Sequence, residues 1–175
     1  MKKSSKKHLL TSIGLSLVLV GTSTPGASAT AHSETAKSIS PVYAFKGATL
    51  TGTNFSGEEL AGKPAVLWFW APWCVKCLVA APDVRALAKS FKGKVKVIGI
   101  PGLAPVNDMK QFVKKTRTSN FVHVPDTDGT IWLHFEIPVQ SSFIFMTSKG
   151  TISRQLGDLS KADLFKRTRQ LIKKS

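Results

Sequence analysis

The stretch AVLWFW, residues 65–70, is apolar at every position, and this constrains the chain more than any other feature. A strand with one wet face alternates apolar and polar side chains. A strand with no polar position has to be covered on both faces, so it belongs in the middle of a sheet with a layer on each side. The next residues are as restrictive. Ala71-Pro72-Trp73 ends the run, and Cys74-Val75-Lys76-Cys77 sets the only two cysteines of the 175-residue chain at its carboxyl end. Beyond them Leu78, Ala81, Val84, Leu87, Ala88 and Phe91 recur at helical spacing until Lys92-Gly93-Lys94. Pro82 lies inside that helix and is expected to kink it, because the ring removes one donor and crowds the preceding turn.

The rest of the chain alternates in kind. KVKVIGI (94–100) reads as a strand, VNDMKQFVKKT (106–116) as a helix, FVHV (121–124) as a strand and DGTIWLHF (128–135) as a short helix. FIFM (143–146) and TISRQL (151–156) flank a turn at Ser148-Lys149-Gly150. A last helix opens at Ser160, with Asp163 at capping-box spacing and Leu164, Phe165, Thr168, Leu171 and Ile172 along one face. Before the central run, PVYAFKGATLTG (41–52) predicts a hairpin turning at Lys46-Gly47, and Ser56 to Gly62 predicts one helical turn. The fold class that results is α/β: a central mixed sheet flanked by helices on both faces, with an extra hairpin at its start. The cysteines fall at the carboxyl edge of the central strand, where chemistry in such sheets is usually placed.

The first residues stand apart from this domain. MKKSSKKH is basic, LLTSIGLSLVLVG is apolar but short for a membrane span, and Ala27 and Ala29 fit a signal-peptidase site. Residues 1–29 are therefore read as a signal peptide cleaved near Ala29, residues 30–40 as a polar linker and residues 41–175 as the folded domain. The domain is then secreted or extracytoplasmic, or membrane-anchored if the signal is not cleaved. The formal charge is +15, and without Lys2, Lys3, Lys6 and Lys7 it falls to +11, from 21 basic and 10 acidic residues. The lysines are spread along the chain without interleaved aromatics, so nucleic acid is not the expected partner, and attraction to anionic lipid or wall polymer is a secondary effect.

Why keep two cysteines in that place? A helix N-terminus carries partial positive charge and unpaired N–H groups, and both favour a thiolate over a thiol. Cys74 in the first turn is the expected nucleophile and the more exposed sulfur. Cys77, three residues on, is close enough to resolve a mixed disulfide, and Lys76 adds a positive charge that modulates the thiolate. Two blander readings stand beside this one. A structural disulfide is compatible with an oxidising compartment, although so short a loop restrains the unfolded chain little. A zinc site needs four ligands. No second cysteine pair exists, His8 and His32 lie in the signal and linker, and His123 and His134 read as ordinary strand and helix residues, so no metal and no cofactor is expected.

The segment GKPAVLWFWAPWCVKCLVAAP resembles the active-site region of the thioredoxin superfamily, and is most similar to the secreted thioredoxin-like oxidoreductases of the TlpA/ResA/DsbE and DsbF kind. The resemblance runs from about Pro41 to Leu171 and includes Pro82, DTDGTIWLHFEIP and FIFMTSKG. It implies a thioredoxin fold and thiol–disulfide exchange with proteins. It makes Cys74 the nucleophile and Cys77 the resolving thiol, the two forming the redox disulfide. Pro72, Trp73, Gln140 and Ser141 would then form the substrate contact surface. Three departures are visible. Trp68 stands where thioredoxins bury an aspartate, Ala80 where many TlpA-like proteins have a glutamate, and Ser141 (or Ser142) where the family has a cis-proline, Pro138 being too far upstream.

The function expected is an extracytoplasmic oxidoreductase acting on cysteine-containing secreted or membrane proteins. It is expected to be a monomer, served by a membrane redox partner. Missing carboxylates and a nearby lysine favour the reduced pair, which makes the oxidised form the better oxidant and the protein an oxidase. The alternatives are a TlpA/ResA-like reductase, for example of apocytochrome thiols, and a thioredoxin-like binding module with weak redox activity. A thiol peroxidase is disfavoured by Ala71, which stands where such a site has a threonine three residues before the cysteine.

Overall fold

The structure is a computed structural model describing residues 40–175, all within one compact unit, Lys37–Ser175. The expected signal peptide, and the linker apart from Ser40, lie outside the described residues. A five-stranded sheet is built from β3 (Ala65–Trp70), β4 (Lys96–Pro101), β5 (Val122–His123), β6 (Ser142–Met146) and β7 (Ile152–Gln155), in the spatial order β5-β4-β3-β6-β7. β3 runs parallel to β4 and antiparallel to β6, with Ala65 opposite Lys96 and Met146, and Trp68 opposite Gly99 and Phe143. The all-apolar run is thus the middle strand. All six of its residues are buried, and both of its edges are paired.

Strand alternation divides those residues between two cores. Val66, Trp68 and Trp70 face the helices α1 (Val75–Ser90), α2 (Val106–Thr116) and α4 (Lys161–Lys173), whose Ala81, Val84, Leu87, Met109, Phe112, Leu164 and Leu171 complete one cluster. Ala65, Leu67 and Phe69 face the other way. They meet Ile131, Trp132 and Phe135 around the short α3 (Thr130–His134), and Tyr43, Phe45, Phe55 and Leu60 from the start of the domain. Helices therefore lie on both faces, but the second face owes much of its cover to the N-terminal segment. That segment carries the antiparallel hairpin of β1 (Lys46–Ala48) and β2 (Asn54–Ser56).

The hairpin corrects one expectation. Lys46 and Gly47 are strand residues paired with Ser56 and Phe55, and the chain turns over Thr49–Thr53 instead. The Thr49 hydroxyl reaches those of Thr51 and Thr53 at 2.9 and 2.8 Å, and Gly52 supplies the positive φ of 88° that the turn needs. The 3-10 turn at Gly57–Leu60 starts at Ser56 as expected, with Glu59 closing a complete capping box. In α4 the box is half formed: the Ser160 hydroxyl accepts the Asp163 N–H, but the Asp163 carboxylate takes the serine hydroxyl rather than the Ser160 backbone. α1 is continuous through Pro82, and Leu78, expected on its apolar face, is 38% exposed.

Candidate active site

β3 and β4 end together, with the Gly102 N–H donating to the Trp70 carbonyl at 3.0 Å. The chain then turns back, Cys74 N–H to Ala71 carbonyl at 3.1 Å, and α1 begins. Cys74 is the N-cap. Its Sγ accepts the backbone N–H of Cys77 at 3.0 Å, and its carbonyl accepts the N–H of Leu78 at 3.0 Å. A donor freed by the helix start is thus aimed at the first sulfur, where it stabilises negative charge. Cys74 and Cys77 are joined as a disulfide, their Cα atoms 5.2 Å apart. Cys74 is 6% exposed and Cys77 fully buried, the order expected for nucleophile and resolving thiol, although neither is open.

Around Cys74 the surface is apolar and concave. Trp73 is 58% exposed, with its indole N–H held by the Leu103 carbonyl at 3.0 Å, and Leu103 has a φ of 59°. Pro72 is half-buried. A cavity of about 540 Å³ opens against Cys74 between Trp73, Val75 and Leu78 on one side and Asp108, Gln111, Phe112 and Lys115 of α2 on the other. Lys76 is exposed and its ammonium is 2.9 Å from Asp158, which holds that carboxyl below its usual range. The lysine charge beside the cysteines is therefore largely matched by an acid that the sequence does not connect to it.

Trp68 and Ala80, at the two positions where the resemblance expects carboxylates, are both buried. The Trp68 indole N–H donates to the Ser141 hydroxyl at 3.2 Å, with both residues fully buried. Ser141 thus turns its side chain inward onto β3, while Gln140 before it is half-buried. Ser142 begins β6 and uses its hydroxyl locally, donating to the Val139 carbonyl at 2.6 Å and accepting the Gly157 N–H at 3.0 Å. His123 bonds the Thr118 carbonyl and His134 that of Val42. Among the described residues no group of three or more His, Cys, Asp or Glu side chains could hold a metal ion.

Sequence reading missed Leu103, Asp158 and the α2 residues Asp108, Gln111 and Lys115. The α2 residues were legible only as the polar side of an amphipathic helix. Nothing in the spacing of Leu103 or Asp158 signals that either reaches the cysteine loop.

Comparison with known proteins agrees with this geometry. The sequence model of the AhpC/TSA family matches residues 40–156. The soluble secreted antigen MPT53 of Mycobacterium tuberculosis, and that of Mycobacterium bovis, are 42% identical over 107 residues, 61% of this chain. The match spans 61% of the length of those curated relatives. Among solved structures, MTB dsbF in its mixed oxidized and reduced forms superposes with a TM-score of 0.73 at 39% identity, over 75% of this chain and 97% of that one. A secreted Mycobacterium tuberculosis disulfide oxidoreductase homologous to E. coli DsbE superposes at 0.71 with 35% identity, over 76% of this chain and all of that one. The fold is thioredoxin-like, as the cysteine motif implies.

Proposed function

The chain belongs to the AhpC/TSA family, and from that premise we propose that it is an extracytoplasmic thiol–disulfide oxidoreductase, leaning to oxidase, acting on cysteine-containing secreted or membrane proteins. The observation that carries this reading is the Cys74–Cys77 disulfide at the start of α1, with the Cys77 N–H on Cys74 Sγ and an open apolar surface beside it. A substrate thiolate attacks Cys74 Sγ, the S–S bond to Cys77 breaks and Cys77 leaves as a thiolate that takes up a proton. The second substrate thiolate then attacks the substrate sulfur of the mixed disulfide and Cys74 leaves. The substrate gains a disulfide, and two electrons rest on the Cys74–Cys77 dithiol, for a membrane redox partner to remove.

Departure of Cys74 in the second step needs stabilisation of its thiolate, which the N–H at 3.0 Å provides. The absence of a carboxylate at positions 68 and 80 removes a base that would help Cys77 return as a nucleophile, which supports an oxidant. Ala71, fully buried and without a hydroxyl, supports disulfide rather than peroxide chemistry. In the test, the Cys77→Ala protein should accumulate a mixed disulfide on Cys74 with a peptide disulfide, and the wild-type pair should equilibrate with glutathione well above the roughly −270 mV of thioredoxin. No trapped species would favour the binding module. A trapped species with a potential at or below that of thioredoxin would favour the reductase.

A further inference from the structure

We propose that the pole of the domain opposite the cysteines is a docking site for anionic membrane lipid. A groove of about 400 Å³ opens there, at the amino ends of β3 and β4 and past the last turn of α1. Four exposed lysines line it, Lys63, Lys92, Lys94 and Lys96, with Glu59 as the one carboxylate. Glu59 is already engaged, accepting the Ser56 backbone N–H at 2.9 Å, and among the described residues none of the four lysines is in an ion pair. Packing does not call for such a cluster, since unmatched like charges repel and no ion pair among the described residues offsets them.

The interior of the groove is apolar, with Phe121 half-buried inside it and Val122 41% exposed at its edge. A basic rim around apolar walls complements an amphiphile, with an anionic head on the lysines and the first methylenes inside. A hydrophilic polyanion would use the lysines and leave the walls unmatched. The direction of the sheet gives the site a consequence. β3 leads from this pole to Cys74, and six strand residues span about 20 Å. A domain seated on lipid by the lysine end therefore presents its disulfide away from the bilayer, toward proteins arriving at the surface.

The test uses residues 37–175, because solved relatives that match about this part of the chain are covered at 97% and 100% of their own length and fold by themselves. Wild-type domain should sediment with phosphatidylglycerol vesicles and not with phosphatidylcholine vesicles. Replacing Lys92, Lys94 and Lys96 together by Gln should weaken binding about 100-fold, and Lys63→Gln, on a separate segment, about fivefold. The same loss of charge at exposed Lys110, Lys114 and Lys166 should cost less than about tenfold. Equal loss in both triple variants would assign the binding to diffuse charge and overturn the groove. So would failure of the wild type to bind, or competition by soluble polyglycerol phosphate as strong as that of phosphatidylglycerol vesicles at equal phosphate.

Discussion

Trp68 and Ser141 stand where the resemblance to the thioredoxin superfamily expects a buried aspartate and, at Ser141 or Ser142, a cis-proline, and in this chain Trp68 and Ser141 bond each other. The indole N–H has no other partner among the described residues, so the serine hydroxyl spares a buried donor. Ser141→Pro, the change that the family pattern invites, restores the ring but deletes the acceptor. We expect it to cost about 1–3 kcal/mol of stability in urea unfolding, the range for a buried donor left unpaired. In a Trp68→Phe background, where no donor remains, the same substitution should cost at least about 1 kcal/mol less. An equal cost in both backgrounds would mean that the hydrogen bond contributes nothing and that backbone shape decides the outcome.

At the scale of the element, α1 joins stability to chemistry because one sulfur serves both. Cys74 caps the helix through the Cys77 N–H and is also the proposed point of attack. Serine can take over the cap and alanine cannot, yet neither can exchange disulfides. In a Cys77→Ala background, which removes the disulfide from the comparison, Cys74→Ala should be less stable than Cys74→Ser by about 0.5–2 kcal/mol. Both should be inert toward a peptide disulfide. Coincident denaturation curves would show that Sγ is not the cap. Leu78 is not the only apolar residue of α1 that faces solvent. Val75 and Val79 are exposed as well, at 74% and 72%, so the outer side of this helix is hydrophobic beside the cysteines.

For the whole molecule, His123 is one of the groups that make stability depend on pH. Buried on β5 against the edge of Trp70, it has its pKa lowered by burial to about 4, with the Thr118 carbonyl acting in the opposite sense. Its Nδ1 has no partner among the described residues, so a proton placed there would be uncompensated. Gly99, opposite on β4, leaves the space the imidazole fills, which any Cβ would enter. Because the folded value lies below the ordinary 6.5, the unfolded chain binds the proton more readily. The stability from the neutral ring is present in full above about pH 6.5 and is lost as pH falls through about 4, roughly 3 kcal/mol in all. Asp126 works the other way, since burial raises its pKa and folding then favours the protonated acid. Comparing wild type with His123→Gln at pH 7 and pH 4 separates the two. The wild type should lose about 3 kcal/mol more than the variant between those values, and parallel losses would show that the histidine is not the group responsible.

Much of this architecture was legible in the chain because it depends on local and periodic properties. An apolar run with no polar position can only be a middle strand, and β3 is one. Helical spacing after Cys77, glycine or proline at several breaks, and Ser56 and Ser160 before two of the capped turns placed most elements near their observed bounds. The cysteine pair needed no tertiary information, since three residues of helix bring both sulfurs together. Contacts between segments far apart in sequence were different. Trp68 with Ser141, Lys76 with Asp158 and Trp73 with Leu103 are separated by 73, 82 and 30 positions. No periodicity links such residues. The pairing of β3 with β4 and β6, and the packing of α4 beside α1, brought them within bonding distance, and these depend on how two cores fill against one sheet. The chain by itself determined the strand, the helix and the sulfurs, and tertiary packing decided which charge and which hydroxyl lie beside them, because those contacts form only when distant segments are buried together.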